Sequence, residues 1–524
     1  VVEVRGRFAD EAQATRAADS PQDGDAPEVG RAAAPLAPPA GMRDLLAPES
    51  LERRRRSRAI VELLGRHGYD LVTTPPFEHA EVMERGLGAL DRRDLLRFVE
   101  PESGEVALLR PDITPQIARV VATRLRDRPG PWRLCYDGTV VRRRRGRARR
   151  QRQIAQIGAE CVGLEGPGAD AEVVNLAVAA CGAAGLRRLH LEIGHVSIAR
   201  AALAELPPPA AEAATEALAA KDATRLEAVC ERAGAPAALR TTLRRLLEID
   251  ALEAGDPGRT LARARRTFAT AEAHRALDAL AAVVERLHAL GVGTVATGSE
   301  ATHGAPTHVS LALDLAEVRG FGYYTGVRFS LLARGPGEPV GGGGRYDDLL
   351  GRFGMQTPAT GFALDLEHLD WALAVERGAH SVPAEARARR WVVAASDDLT
   401  GERMARRLRA RGSVACAVGA AAARQVEVAV AFACAWGYDL VLVLDAEGGA
   451  VVREVHGEGG RQARLTRAAL EAAIADADSG NAEFEASLLG ALAGAPGDVH
   501  GAARGDAASL GDVGSADDIG KERG

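Results

Sequence analysis

The sequence predicts an α+β fold: an antiparallel sheet with flanking helices and a helical insertion, followed by a small C-terminal α/β domain. Three observations predict it. Strand-like runs fill residues 69–193 and return at 309–366. The stretch between them, about 200–295, has almost purely helical spacing. From residue 389 onward, strand and helix patterns alternate. Two strand blocks split by helices read as an α+β layer with an insertion, and regular alternation reads as a separate α/β layer.

Order is expected to begin at Gly41. Pro48-Glu49-Ser50 opens a helix in which Leu51, Ile60, Leu63 and Leu64 share a stripe, and Gly68 ends it. Tyr69–Thr73 is strand-like and is broken by Thr74-Pro75-Pro76. Val106–Arg110 is a short strand, and Ile113–Arg124 has helical spacing. Residues 132–145 alternate as a strand, and Ile154–Val162 is its antiparallel return. Ala171–Ala184 reads as a helix and Leu189–Ile193 as a strand. After the insertion, strands are expected at Val309–Asp314, Tyr323–Leu332 and Gly361–Leu366. The run GGGGRYDD from Gly341 lacks the G-K-[ST] ending of a phosphate loop and reads as a tight bend. The domain at 389–477 alternates β-α-β-α-β, which predicts a largely parallel sheet. Residues 1–40 and 478–524 are rich in Ala, Gly, Asp and Pro without periodicity, so both are expected to be disordered.

Composition narrows the function. Hydrophobic content of 46% and charged content of 26% describe an ordinary globular chain. A net charge of −6 argues against a protein dominated by nucleic-acid affinity. The six cysteines form no C-x-x-C pair, which gives no support to zinc or redox motifs and fits a reducing cytoplasm. Val414–Leu444, the most apolar region, is interrupted by Arg424, Glu427 and Asp439, so no membrane segment is expected. The first residues show no apolar core of signal-peptide type. His195 and His368 have no metal-ligand spacing, and no G-x-S-x-G elbow occurs. No catalytic residue, metal or cofactor is assigned. Eight arginines lie between Arg142 and Arg152. They read either as a solvated hairpin or as a contact for an anion or acidic partner. Without interleaved aromatics they do not form a stacking platform for nucleic acid.

Three stretches carry chemistry together: Arg110-Pro111-Asp112-Ile113-Thr114-Pro115-Gln116, the segment 142–160, and 318–326 (VRGFGYYTG). With Gly41–Leu46, Gly68–Glu78, Gly341–Leu350 and Gly361–Leu369, they resemble the catalytic domain of histidyl-tRNA synthetase, a class II aminoacyl-tRNA synthetase. The resemblance spans Gly41 to about Trp371 and omits much of the helical insertion. It implies a class II synthetase-like sheet and a dimer formed through the motif 1 segment, Gly68–Glu78. It also implies an amino-acid pocket for histidine made by Asp112, Thr114, Gln156, Glu160, Arg319, Tyr323 and Tyr324. Asp112 and Glu160 would take the ammonium group and a ring N–H, Arg319 the carboxylate, and the tyrosines would wall the ring.

Departures from that family are concentrated where ATP would bind. Beside Arg142, Arg144 stands where the synthetase has the glutamate that holds adenine. Asp365 stands where motif 3 has a glycine, and His368 replaces its phosphate-binding arginine. A cation in place of an acceptor, a carboxylate near a polyphosphate and the loss of a bidentate guanidinium all oppose adenylation. Asp112 is one methylene shorter than the family's glutamate, and Gly322 replaces an aspartate.

The string LRPDITPQIARVVA and Gly361–Leu366 are more similar to the regulatory subunits of ATP phosphoribosyltransferase, a non-catalytic branch of this fold. That resemblance implies a short-form catalytic subunit as partner, activation of that partner, and feedback inhibition by L-histidine in a hetero-octamer at the first step of histidine biosynthesis. The alternatives are an active histidine–tRNA ligase and a free-standing sensor of uncharged tRNA. Residues 389–477 would be a remnant of an anticodon-binding domain.

Overall fold

The structure, a computed structural model, describes residues 37–86, 95–142, 152–252, 256–293, 306, 308–318, 323–379, 388–410, 412–419, 423, 425–455, 461–478 and 484–493. The expectations for residues 1–36, Arg144, Arg319 and Gly322 fall outside them. The chain divides into two compact units, Val1–Val382 and Pro383–Gly524.

The first unit opens with α1 (Glu49–Arg66) and the short strands β1 (Asp70–Leu71) and β2 (Phe77–His79). Gly68 ends α1 at φ 79°, a conformation that glycine adopts without strain. Next come α2 (Ala80–Gly86), β3 (Arg97–Val99), β4 (Val106–Leu109) and α3 (Thr114–Arg124). The long hairpin strands β5 (Trp132–Val141) and β6 (Gln153–Val162) lead to α4 (Gly166–Ala183) and β7 (Arg188–His195). The insertion then supplies α5 (Val196–Leu203), α6 (Pro208–Ala219), α7 (Ala223–Arg232), α8 (Ala237–Leu252), α9 (Pro257–Thr267) and α10 (Ala271–Ala289). The chain returns as β8 (His308–Leu313), β9 (Val327–Leu332), β10 (Gly341–Arg345), β11 (Ala359–Asp365) and α11 (Leu366–Ala379).

Eight of these strands form one sheet in the order β1-β5-β6-β11-β10-β9-β7-β8. The β1·β5 and β7·β8 pairs are parallel and the others antiparallel. Strands alternate their side chains between two faces. Cys135, Ile157, Ala159, Phe362, Phe329, Leu191 and Ile193 fall on one face and join the main core with α1, α4, the insertion and α11. Arginines of α1 reach α11 in largely buried ion pairs: Arg53 pairs with Glu367 and Asp370, and Arg56 with Asp370. The opposite sheet face is polar at its centre. A separate three-stranded sheet, β2-β4-β3, lies beside α2.

Three expectations are corrected. Gly341–Arg345 is not a bend but a strand in the interior of the large sheet. Side-chain alternation cannot reveal a strand made of glycines, and here the neighbouring backbones require them. A Cβ on Gly343 would lie 2.0 Å from the Gly361 carbonyl oxygen, and one on Gly342 would lie 2.6 Å from that of Phe329. Tyr323–Leu332 forms strand only from Val327.

The third correction concerns the second unit, which contains β12 (Arg390–Ala394), α12 (Asp398–Ala410), β13 (Val414–Val418), α13 (Val426–Ala435), β14 (Leu440–Leu444), β15 (Ala450–Glu454), β16 (Gln462–Leu465), α14 (Arg467–Asp478) and α15 (Phe484–Ala493). Its sheet order is β13-β12-β14-β15-β16, parallel across the first three strands and antiparallel across the last two pairs. Helix α15 lies inside the segment expected to be disordered. Its Phe484, Leu488 and Leu492 recur every four residues and are buried in this unit's core. Glu485 accepts from Trp391 Nε1 at 3.1 Å and from Ser413 Oγ at 2.5 Å. The apolar stripe is short, and glycine-rich composition on both sides masks it. No helix among the described residues is long and apolar enough to cross a membrane.

Candidate ligand site

The site stands on the polar face of the large sheet. In β6, residues Gln156, Gly158 and Glu160 point to that face, and the antiparallel register sets Gly138, Tyr136 and Leu134 of β5 opposite them. On the other side of β6, Asp365, Ala363 and Gly361 of β11 are opposite the same three. The floor is therefore rich in glycine, and the functional groups rise from a few positions.

Glu160 is 1% exposed. Thr114 Oγ1 donates to its Oε1 at 2.7 Å, and the Tyr136 hydroxyl donates to the same oxygen at 3.2 Å. The Tyr346 hydroxyl donates to Oε2. Burial pushes the Glu160 carboxyl up to about 8, against the opposing effect of these hydrogen bonds. Burial and then the charge of Glu160 likewise hold Tyr136, Tyr323 and Tyr346 far above the usual phenol value, so all three remain neutral donors.

Asp112 is the second carboxylate and is only partly buried. Its Oδ1 accepts from the Ile113 amide at 2.8 Å and from Gln156 Nε2 at 3.1 Å. Gln156 Oε1 accepts from the same amide at 3.3 Å. The ring of Tyr323 packs on Tyr346 and on Tyr324, each with centroids 5.1 Å apart. The guanidinium of Arg328 lies 5.6 Å from the Tyr324 ring centroid. Asp112, Thr114, Gln156, Glu160, Tyr323 and Tyr324 thus come together; Arg319 lies outside the described residues.

The stretch 110–116 divides its side chains between two tasks. Asp112 and Thr114 serve the site. Arg110 donates instead to the carbonyls of Thr139, Thr74 and Pro75, at 2.8, 2.9 and 3.2 Å. Gln116 Nε2 donates to Pro75 O at 3.0 Å and its Oε1 accepts from Thr74 Oγ1 at 2.8 Å. Arg110 and Gln116 therefore fasten the Thr74–Pro76 turn.

Of the residues singled out for ATP, Asp365 and His368 make local contacts, and Arg144 lies outside the described residues. Asp365 caps α11, its Oδ1 accepting from the amides of Glu367 and His368 at 3.0 and 3.2 Å. The His368 side chain is 7% exposed. Its Nδ1 lies 2.9 Å from the Pro339 carbonyl, so Nδ1 carries the proton. The Arg142 amide donates to the Arg152 carbonyl at 3.0 Å, closing the hairpin. His195 accepts from the Ser197 amide at 3.2 Å and caps α5; burial pulls its imidazolium down to about 4.

Sequence reasoning missed Tyr136, Tyr346, Gly361 and Arg328. Tyr136 follows from the β5·β6 register, which the sequence does not fix. A cavity of about 450 Å³ lies elsewhere in this unit, where α4 begins, lined by Glu165, Asp170, His195, Arg345, Asp347 and Thr357 among others. Arg345 is taken up there by Asp170 and Asp347, at 2.8 and 3.0 Å.

Comparison with known proteins bears on the fold and the family. The family model described as histidyl-tRNA synthetase matches residues 41–369. The ATP phosphoribosyltransferase regulatory subunit of Anaeromyxobacter sp. (strain Fw109-5) is 42% identical over 355 residues, covering 67% of this chain and 97% of that protein. The regulatory subunit of the same name from Moorella thermoacetica is 37% identical over 402 residues, covering 76% and 96%. Among solved structures, an ATP phosphoribosyltransferase regulatory subunit/histidyl-tRNA synthetase from Bacillus halodurans superimposes with a TM-score of 0.63 at 26% identity, covering 76% of this chain and 96% of the other.

Proposed function

Because the chain belongs to the family of ATP phosphoribosyltransferase regulatory subunits, on the histidyl-tRNA synthetase fold, we propose that it binds L-histidine and governs a short-form ATP phosphoribosyltransferase catalytic subunit by feedback. It performs no adenylation itself. The observation that carries this reading is the meeting of two carboxylates, one buried and one partly open, on a sheet face beside tyrosine rings. Thr114 donates to Glu160 and Gln156 donates to Asp112.

Histidine offers an ammonium group, a carboxylate and a ring with two nitrogens. Asp112 is the more accessible carboxylate and suits the ammonium. Glu160, at the closed end and surrounded by hydroxyl donors, suits a ring N–H. Tyr323 and Tyr324 line the approach, and Arg319 takes the ligand carboxylate. Asp365 and His368 support the non-catalytic half of the reading. Asp365 is spent on a helix cap and His368 directs Nδ1 at a backbone carbonyl, so neither supplies the bidentate guanidinium contact that a phosphate takes. Feedback then requires that histidine bind one state of the assembly better than the other. Self-association through the motif 1 segment is supported by Leu71 and Phe77, both exposed, with β1 at the sheet edge.

Titration of the purified chain with L-histidine, and then with ATP, tests the reading. Histidine should bind and ATP should give no heat. Added to the catalytic subunit, the chain should raise its activity, and histidine should lower it again. Binding of both ligands together with histidine-dependent ATP–pyrophosphate exchange would overturn the reading in favour of a histidine–tRNA ligase.

A further inference from the structure

The helical insertion reaches the candidate site by two routes. Arg200, on α5, donates from Nη2 to the backbone carbonyl of Tyr324 at 3.1 Å. Lys221, in the turn between α6 and α7, forms an ion pair with Asp314, which follows β8 directly. Asp314 is 5% exposed, and its Oδ1 also accepts from the Ala316 amide at 3.1 Å. It therefore shapes the turn that carries the chain across β7. That turn lies against the strand's backbone: a Cβ on Gly194 would be 2.1 Å from the Asp314 carbonyl oxygen. Beyond the turn, Glu317 accepts from Arg328 at 2.6 Å. Arg328 also donates to Ser330 Oγ at 2.8 Å and faces the Tyr324 ring. Lys221 thus holds Asp314, Asp314 holds the turn at Ala316, the backbone of that short turn leads to Glu317, and Glu317 holds Arg328 beside Tyr324.

Lys221 sits where a lysine is disfavoured. Its φ is 54°, the only positive value at a non-glycine among the described residues. It follows the last turn of α6, with its amide donating to Leu218 O at 3.0 Å and the Asp222 amide donating to Ala217 O at 2.9 Å. Glycine is the usual occupant of such a helix end, because a Cβ strains the left-handed conformation. A lysine there gains nothing from local geometry. What it gains is reach: its ammonium meets the buried Asp314 carboxylate, far along the chain.

We propose that Arg200 and Lys221 are positioning residues for the ligand pocket. The insertion holds the Tyr323–Tyr324 wall in place from outside, and displacing the insertion weakens the amino-acid ligand. By reciprocity, ligand binding steadies the insertion. The proposal rests on the histidine-binding reading for its ligand, but the clamp itself is defined without any ligand.

The test uses the full chain with the variants Lys221→Met, Asp314→Asn and Lys221→Arg. Amide hydrogen exchange over residues 323–332 is measured without ligand, and the L-histidine dissociation constant is measured by calorimetry. Lys221→Met and Asp314→Asn should speed exchange over 323–329 and weaken histidine about tenfold, as loss of one charge-assisted contact does. Lys221→Arg should restore both, and exchange over 391–394 in the second unit should not change. Faster exchange confined to α6 and α7, with unchanged histidine affinity, would mean a purely structural tie and would overturn the proposal. So would wild-type behaviour in both charge-removing variants. If the wild-type chain itself fails to bind histidine, the functional reading falls, and exchange over 323–329 alone decides the clamp: an unchanged rate overturns it.

Discussion

Glu160 and Gly361 are opposite one another on β6 and β11, and the carboxylate fills the space that a side chain on Gly361 would need. A Cβ at Gly361 would lie 1.6 Å from Glu160 Oε2. The pocket's acid is thus seated by an absence of atoms on the next strand as much as by the three hydroxyls that bond it.

Gly361→Ala should therefore displace the Glu160 carboxylate. Each strand is held on its far side, β11 by β10 and β6 by β5. Overpacking of this kind costs about 1–3 kcal/mol. A urea titration should show that loss, and histidine binding should disappear with it. Unchanged stability would mean that the sheet separates more easily here than its register implies.

Glu160 should also make stability depend on pH. Its folded-state value is about 8, against an unfolded value of about 4.3. Between these values the folded chain holds a proton that the unfolded chain has released. The associated stability is fully present below about pH 4.3 and is lost as pH rises through 8. Glu160→Gln removes the titrating group. Its stability relative to wild type should improve with rising pH, by at most ~1.4 kcal/mol per pH unit. Denaturation midpoints at pH 5.5 and 7.5 would measure it, and parallel midpoints would refute it.

The same proton should appear in ligand binding. A ring N–H that meets Glu160 favours its ionised form, so histidine binding below pH 8 releases a proton. Calorimetry in two buffers of different ionisation enthalpy should detect that release, and Glu160→Gln should abolish it.

Restoring an arginine at position 368 should not restore adenylation. The His368 side chain is almost wholly enclosed and bonded to the Pro339 carbonyl. His368→Arg should destabilise the chain, because it places a longer cation in a closed space, and pyrophosphate exchange should stay at background. Exchange activity in this variant would show that one residue separates the two functions.

Leu488→Ala should destabilise the second unit by about 2–5 kcal/mol, the range for truncating a fully buried leucine. A melt followed by the fluorescence of Trp391, which is bonded to Glu485, would report it. A small effect would mean that α15 adds little to that core.

Much of the site was legible because its chemistry is local. Asp112 and Thr114 share one short stretch, and Gln156 and Glu160 lie four residues apart on a strand with clear alternation. Tyr136 and Tyr346 were not legible in the same way. They reach Glu160 only through β5·β6 register and through β10, whose glycines give no alternation. Helix α15 escaped notice for a related reason, since three apolar residues in a glycine-rich tail carry little signal until the core they fill is known. The substitutions at 365 and 368 were visible in the sequence, but their local uses, a helix cap and a carbonyl bond, were not.

The alternation within 110–116 has a genetic consequence. Asp112 and Thr114 hold the pocket, while Arg110 and Gln116 hold the Thr74–Pro76 turn, so a lesion anywhere in this stretch shifts both. Under the proposed feedback role, alleles selected for resistance to a toxic histidine analogue would have to keep the subunit able to activate its partner. They should therefore fall at Glu160, Tyr324 or Arg328 rather than between Arg110 and Gln116, where relief from inhibition and loss of assembly would be inherited together.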